Sequence, residues 1–351
     1  MKFRILLFIA LFVLAIAPTL AQDAPITLTL VTHDSFAVSE DVLAKFEEES
    51  GIKIEILRSG DAGAMVNQAI LSKENPLGDV LYGVDNTFLS RALDAGIFEP
   101  YASPALKAVP DEFKLDAENR VTPIDYGDVC LNYDTQYFDE KKLALPESLM
   151  DLTKPEYKSL LVVENPATSS PGLAFLLTTV AQFGTTDNYT YLNFWDDLVK
   201  NDVYVSDDWS DAYYTQFSGS SGSQGTRPLV VSYASSPPAE VYFMETPPEN
   251  APTGSIVADG TCFRQIEFAG ILAGTEKQEA AQKFIDFLLS QEFQEDMPLQ
   301  MFVFPVNPDA KLPEVFTQYA SVPEKPAMMD AADIDANRET WINEWTQTVL
   351  R

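Results

Sequence analysis

Between residues 26 and 96, short β-rich runs and amphipathic helical periods alternate three times. Residues 26–31 read as a strand, because β-branched and apolar residues dominate. Ser39 then caps a helix whose apolar side is Val42, Leu43 and Phe46, and Gly51 stops it. Residues 52–57 form a second strand and 64–73 a second helix. Pro76-Leu77-Gly78 makes a turn into a third strand over 79–84. Asn86 caps a third helix, which Gly96 ends. This βαβαβα order predicts an α/β fold with mostly parallel sheets flanked by helices. Right-handed crossovers would bring the strand-to-helix loops to one edge, where such sheets bind ligands.

The middle of the chain changes character and the end becomes regular again. Residues 121–133 read as extended, with Asp125-Tyr126-Gly127-Asp128 inside the run. A strand over 160–163, helices over 173–180 and 191–199 and a strand over 228–233 follow. The Gly/Ser-rich stretch 218–225 reads as a mobile surface loop or hairpin tip, and the five prolines of 237–252 predict little regular structure. Residues 262–271 look β-like. Ala281, Phe284, Ile285 and Leu288 line one face of the next helix, and Trp341 and Trp345 stand four apart in a terminal helix that docks on the body. The economical architecture has two lobes, with the chain crossing near 125–135 and returning near 255–265. One lobe would hold 22–128 and 262–320, the other 129–261, and 321–351 would be a C-terminal helical extension. Connections at such a waist permit closure around a ligand.

Residues 1–21 stand apart. Lys2 and Arg4 precede an apolar run over 5–17, too short to span a bilayer comfortably, and Pro18-Thr19-Leu20-Ala21 supplies small residues for a peptidase. The expectation is a secretory signal cleaved after Ala21 and a mature protein in the periplasm or extracytoplasmic space. The formal charge of -30 excludes a general nucleic-acid binder, since no positive surplus can displace counterions from phosphates. With 46% hydrophobic residues the chain is not a disordered polyanion. An exported protein can keep a disulfide, but sequence leaves open whether Cys130 and Cys262 meet.

Several segments could carry a site. Thr168-Ser169-Ser170-Pro171-Gly172 precedes a helix, and its hydroxyls and backbone N–H groups could hold an anion or simply cap the helix. Asp207-Asp208-Trp209-Ser210-Asp211-Ala212-Tyr213-Tyr214 and Ser232-Tyr233-Ala234-Ser235-Ser236-Pro237 bring aromatic faces together with carboxylates or hydroxyls. Such faces attract a flat cation, although aromatics also serve ordinary packing. Tyr213 and Tyr214 could supply phenolates to ferric iron, but His33 is the one histidine in the chain. His33-Asp34-Ser35 follows the first strand and offers Asp34 to a ligand amine. No nucleophile–base pattern, nucleophile elbow, P-loop or dinucleotide fingerprint is present. A carboxylate-dependent exported hydrolase would have to draw on 53 acidic residues, none of which is singled out.

In their order, His33-Asp34-Ser35-Phe36, Asp85-Asn86, Asp125-Tyr126-Gly127, Thr168-Ser169-Ser170-Pro171-Gly172-Leu173, Trp209-Ser210-Asp211-Ala212-Tyr213, Ser232-Tyr233-Ala234-Ser235-Ser236-Pro237 and Phe304-Pro305-Val306 resemble the periplasmic thiamine-binding proteins of ABC transporters, within the two-lobed extracellular solute-binding proteins. The resemblance implies a type II periplasmic-binding-protein fold with a ligand cleft at the hinge. It implies a monomer without catalysis or cofactor that captures thiamine or a phosphate ester and delivers it to a permease in the inner membrane. Tyr233, Trp209 and Phe302 would supply rings, with Phe302 where the family usually has tryptophan. Thr168, Ser169, Ser170 and Gly172 match the phosphate-side loop, Asp34 a polar residue at the pyrimidine side, and Asp85 and Asp125 acidic cleft or hinge positions. Tyr213 and Ser236 fall in matching segments. The loop Gly60-Asp61-Ala62-Gly63-Ala64 lacks the serine of the family's stretch. The same fold could instead hold ferric iron, a polyamine, a sugar or an organophosphate.

Overall fold

The computed structural model describes residues 26–350 apart from Pro247, Met328 and Asp330, so the expected signal segment 1–21 lies outside the described residues. The strands are β1 (Ile26–Thr32), β2 (Ile52–Arg58), β3 (Val80–Asp85), β4 (Phe98–Glu99), β5 (Thr122–Asp134), β6 (Leu161–Glu164), β7 (Tyr204–Ser206), β8 (Leu229–Tyr233), β9 (Thr253–Ile256), β10 (Phe263–Leu272) and β11 (Phe304–Pro305). The helices are α1 (Glu40–Ser50), α2 (Ala62–Leu71), α3 (Leu89–Ala95), α4 (Thr135–Lys141), α5 (Ser170–Phe183), α6 (Tyr191–Lys200), α7 (Trp209–Asp211), α8 (Pro237–Tyr242), α9 (Gln278–Leu288), α10 (Gln291–Gln300), α11 (Glu314–Tyr319) and α12 (Ala331–Val349). The main strand order is β2-β1-β3-β10-β5-β8-β6-β7.

The sheet is mixed rather than mostly parallel. The pairs β1–β2, β1–β3, β6–β7 and β6–β8 are parallel, as βαβ units require. The long strands β5 and β10 pair antiparallel with each other, β5 also with β8 and β10 with β3. They carry the chain out of one half and back into it, so they must run in opposite directions. At Val129, β5 is paired with both Phe263 of β10 and Tyr233 of β8, where the two halves of the sheet meet. Just there Cys130 and Cys262 form a disulfide, with Cα atoms 4.4 Å apart.

Local chemistry accounts for most element ends. Gly51 ends α1 at φ +71°, but the expected Ser39 cap is corrected: Ser39 stands at the N-cap position with its backbone N–H and hydroxyl donating to Asp296 instead. The expected Asn86 cap on α3 is corrected: among the described residues, no side chain caps this helix. Asp85 instead holds the preceding turn by accepting from the Thr87 N–H at 2.6 Å and the Phe88 N–H at 3.3 Å, and Asn86 bridges to β10 through Ile266 N–H and Arg264 O. The proline-rich stretch does hold a helix, α8, because Pro237 and Pro238 stand in its first turn where no donor is needed. The 218–225 loop is anchored: Ser221 N–H donates to Glu240 at 2.7 Å, and Ser218 Oγ to Asp134 at 2.6 Å.

The core packs both faces of the sheet. Residues Ser170–Val180 of α5 are all buried, so this helix is enclosed rather than amphipathic. Helix α12 crosses from one half to the other. Its Arg338 donates to Thr87 O at 3.2 Å and to Ser90 Oγ at 3.1 Å, while Trp345 meets Trp195 edge-on at 5.5 Å and Glu344 accepts from Tyr191 OH at 2.5 Å.

Candidate functional site

Loops after the strands of both halves converge on one cavity of about 360 Å³. The turn after β1 brings His33, Asp34 and Ser35, and the loop after β2 brings Asp61 and Ala62. From the other half come Ser170 and Pro171 at the start of α5, the α7 segment with Trp209, Tyr213 and Tyr214, and Tyr233 and Ser236 after β8. Gln265 and Glu267 of β10 and the turn holding Met301 and Phe302 complete the lining. Strand C-terminal ends of a twisted α/β sheet thus form the site, as its topology dictates.

One wall is aromatic. Trp209 and Tyr213 stack at 5.0 Å with a 20° interplanar angle, and Tyr214 meets Trp209 edge-on at 5.4 Å. The indole is fixed by Trp209 Nε1 donating to Ser232 Oγ at 3.0 Å. Tyr233 packs against Gly127, where any Cβ would come within 2.7 Å of the ring. Its hydroxyl donates to Gln265 at 3.2 Å. Phe302 holds φ +55°, an uncommon conformation for a bulky residue, and Phe243 is 79% exposed at the mouth.

The floor is acidic. Asp34, Asp61 and Glu267 line the cavity, and no Lys or Arg does so among the described residues. Burial would lower the His33 pKa, but the Glu267 carboxylate 3.4 Å away, with Asp61 and Asp34, outweighs burial and raises it. Burial pushes Asp61 up, partly offset by hydrogen bonds from Trp209 and Ala62 N–H. Behind the floor, Asp125 is paired in register with Glu267 and accepts from Tyr82 OH. Burial first and Glu267 second hold its carboxyl far above the ordinary range. A cation entering this cavity meets three carboxylates, of which Glu267 is paired with His33, beneath a π wall.

Seven residues singled out in the sequence line the cavity: Asp34, Ser170, Trp209, Tyr213, Tyr233, Ser236 and Phe302. Five stand behind it. Asp85 is fully buried and holds the Thr87–Phe88 turn ahead of α3, and Asp125 pairs in register with Glu267. Thr168 donates its hydroxyl to Asp207 O at 2.6 Å, Ser169 is fully buried, and Gly172 packs on the Glu164 backbone, 2.6 Å from a would-be Cβ. Sequence reasoning missed Asp61, Gln265 and Glu267. Asp61 carried one usable signal, its place in the loop after the second strand. Glu267 carried none, because it reaches the cavity through strand pairing. Tyr213 OH is buried while Tyr214 is 54% exposed, and no group of three or more His, Cys, Asp or Glu suited to a metal occurs among the described residues.

A family model described as bacterial extracellular solute-binding protein matches residues 75–325. The thiamine-binding periplasmic protein of Brucella suis biovar 1 (strain 1330) is 30% identical, over 100% of both chains. That of Escherichia coli (strain K12) is 29% identical, over 97% of this chain and 98% of the relative. Among solved structures, a periplasmic thiamin binding protein superposes with a TM-score of 0.78 at 27% identity, covering 93% of this chain and 96% of that one. The family match takes in both crossing strands and most of the cavity lining, and the relatives align from end to end. The chain therefore belongs to the bacterial extracellular solute-binding protein family.

Proposed function

We propose that the cavity captures thiamine, or a thiamine phosphate ester, for delivery to a permease in the inner membrane. Membership in the family carries the coarser statement: this is a non-catalytic, extracytoplasmic protein that binds a small molecule and works with an ABC transporter permease. The observation that supports thiamine is the pairing of an aromatic wall with three carboxylates and, among the described residues, no lining Lys or Arg. Thiamine joins a cationic thiazolium to an aminopyrimidine. Trp209, Tyr213, Tyr233 and Phe302 would hold its faces, and Asp34 would accept from its exocyclic amine. Ser170 and Ser236 would contribute hydroxyls, and Thr168, Ser169 and Gly172 would shape the α5 start on the phosphate side. Asp85 and Asp125 would act from behind.

In the same reading, residues 22–128 with 262–320 form one lobe, 129–261 the other, and 321–351 a helical extension. The signal is cleaved after Ala21 and the protein works as a monomer. Closure of the lobes would bury the ligand and release it unchanged.

Titration calorimetry with thiamine tests the reading, alongside tryptophan fluorescence. Of the four tryptophans only Trp209 lines the cavity, so quenching should vanish in Trp209→Phe. Thiamine at a hundredfold excess over Kd should add about 2.7 kcal/mol of stability. No heat, no quenching and no shift in melting at millimolar thiamine would sink it. Tyr233→Ala should weaken binding at least about tenfold, from loss of a buried ring contact.

A further inference from the structure

We infer that the first turn of α2 is the latch that holds the two halves shut, with Asp61 as its positioning residue; this rests on the ligand-capture reading above. Asp61 splits its carboxylate. One oxygen accepts from Ala62 N–H at 2.7 Å, within its own half, and caps α2. The other accepts from Trp209 N–H at 3.1 Å, across the cleft. That N–H opens α7, so it is a helix-start donor with no carbonyl one turn back to receive it. Asp61 satisfies it only when the halves meet.

A second bond crosses at the same turn: Ala64 N–H donates to Thr168 O at 3.3 Å. The approach is close enough that a Cβ on Gly63 would lie 2.8 Å from Thr168 O and 2.8 Å from the Phe88 ring. Gly63 is therefore where the chain keeps the contact surface bare. On the receiving side, Thr168 Oγ1 donates to Asp207 O at 2.6 Å, tying the two receiving loops together. Trp209 is also the ring that lines the cavity. One residue thus carries both the ligand wall and the cross-cleft bond, and closure sets the ring. This role for the phosphate-side loop is structural and needs no anion.

The latch makes a kinetic statement. Entry into the open cleft does not need it, and escape from the closed one does. Stopped-flow fluorescence with thiamine should therefore show koff raised roughly tenfold or more in Asp61→Ala, as for loss of a hydrogen bond to a charged group. The on-rate should stay within about twofold. Gly63→Ala replaces no cavity-lining side chain and should raise koff in the same way, which separates closure from direct contact between Asp61 and the ligand. Melting of the ligand-free Asp61→Ala protein should fall only by the lost α2 cap, about 1 kcal/mol, and by clearly less than in the presence of thiamine. Unchanged koff in both variants overturns the latch. So does a ligand-free melting loss as large as the loss with thiamine, because that marks a merely structural role.

If the unaltered protein does not respond to thiamine, the ligand reading fails and the latch is decided by hydrogen exchange without ligand. Exchange at Trp209 N–H should then speed up at least about tenfold in Asp61→Ala, while β1 amides stay unmoved. Equal exchange at Trp209 would overturn it.

Discussion

Asp85 carries a titration that acts on stability. The side chain is fully buried, and one oxygen accepts from the Thr87 and Phe88 N–H groups. Burial pushes its pKa up to about 6, against an ordinary 3.8, with hydrogen bonds from Ser170 and Thr87 opposing and Glu267 adding to the rise. The folded chain therefore holds an extra proton between pH 4 and 6, and this group's contribution to stability falls as pH rises through that window. The difference is on the order of 3 kcal/mol. On acidification from about pH 7 to about pH 5 the melting temperature should rise, and the rise should be smaller in Asp85→Asn. Equal slopes in the two proteins would remove Asp85 from this account. Relief of repulsion in a chain of net charge -30 acts in the same direction, but it is common to both.

Among the elements, β5 and the start of β10 decide how the halves can move. The disulfide joins them at the crossing, with 132 residues of separation between Cys130 and Cys262. It closes the loop that holds all of β6–β9 and their helices. In the chain-entropy picture such a loop is worth about 4–5 kcal/mol. The paired replacement Cys130→Ser with Cys262→Ser should lower the urea midpoint correspondingly, with thiamine affinity changed only a few-fold because neither cysteine lines the cavity. An unmoved midpoint would contradict the assignment of stability to this link. Helix α12 gives a second tie, since its two ends rest on α3 and α6 through Arg338 and Trp345.

Over the whole molecule, a charge of -30 surrounds a cavity that holds no lining Lys or Arg among the described residues. A small cation is drawn toward such a cleft, and salt screens the attraction. The thiamine on-rate should fall several-fold between about 20 mM and about 500 mM sodium chloride, with koff moving much less. A salt-independent on-rate would show that the field does no steering.

Local pattern was enough for β1, α1, β2 and β3, because a two-residue or 3.6-residue period and a stop at Gly51 are written in neighbouring residues. It was enough also to single out the Trp209–Tyr213 and Tyr233 segments, whose chemistry is compact in the chain. It did not reach Glu267, whose place in the floor depends on pairing with a strand some 140 residues away in register with Asp125. It did not reach the Asp61–Trp209 contact, which exists only because two halves close on each other. The same holds for the antiparallel crossing of β5 and β10 and for the Cys130–Cys262 bond. Periodicity is a property of adjacent residues, whereas these features are distances between segments that only packing brings together.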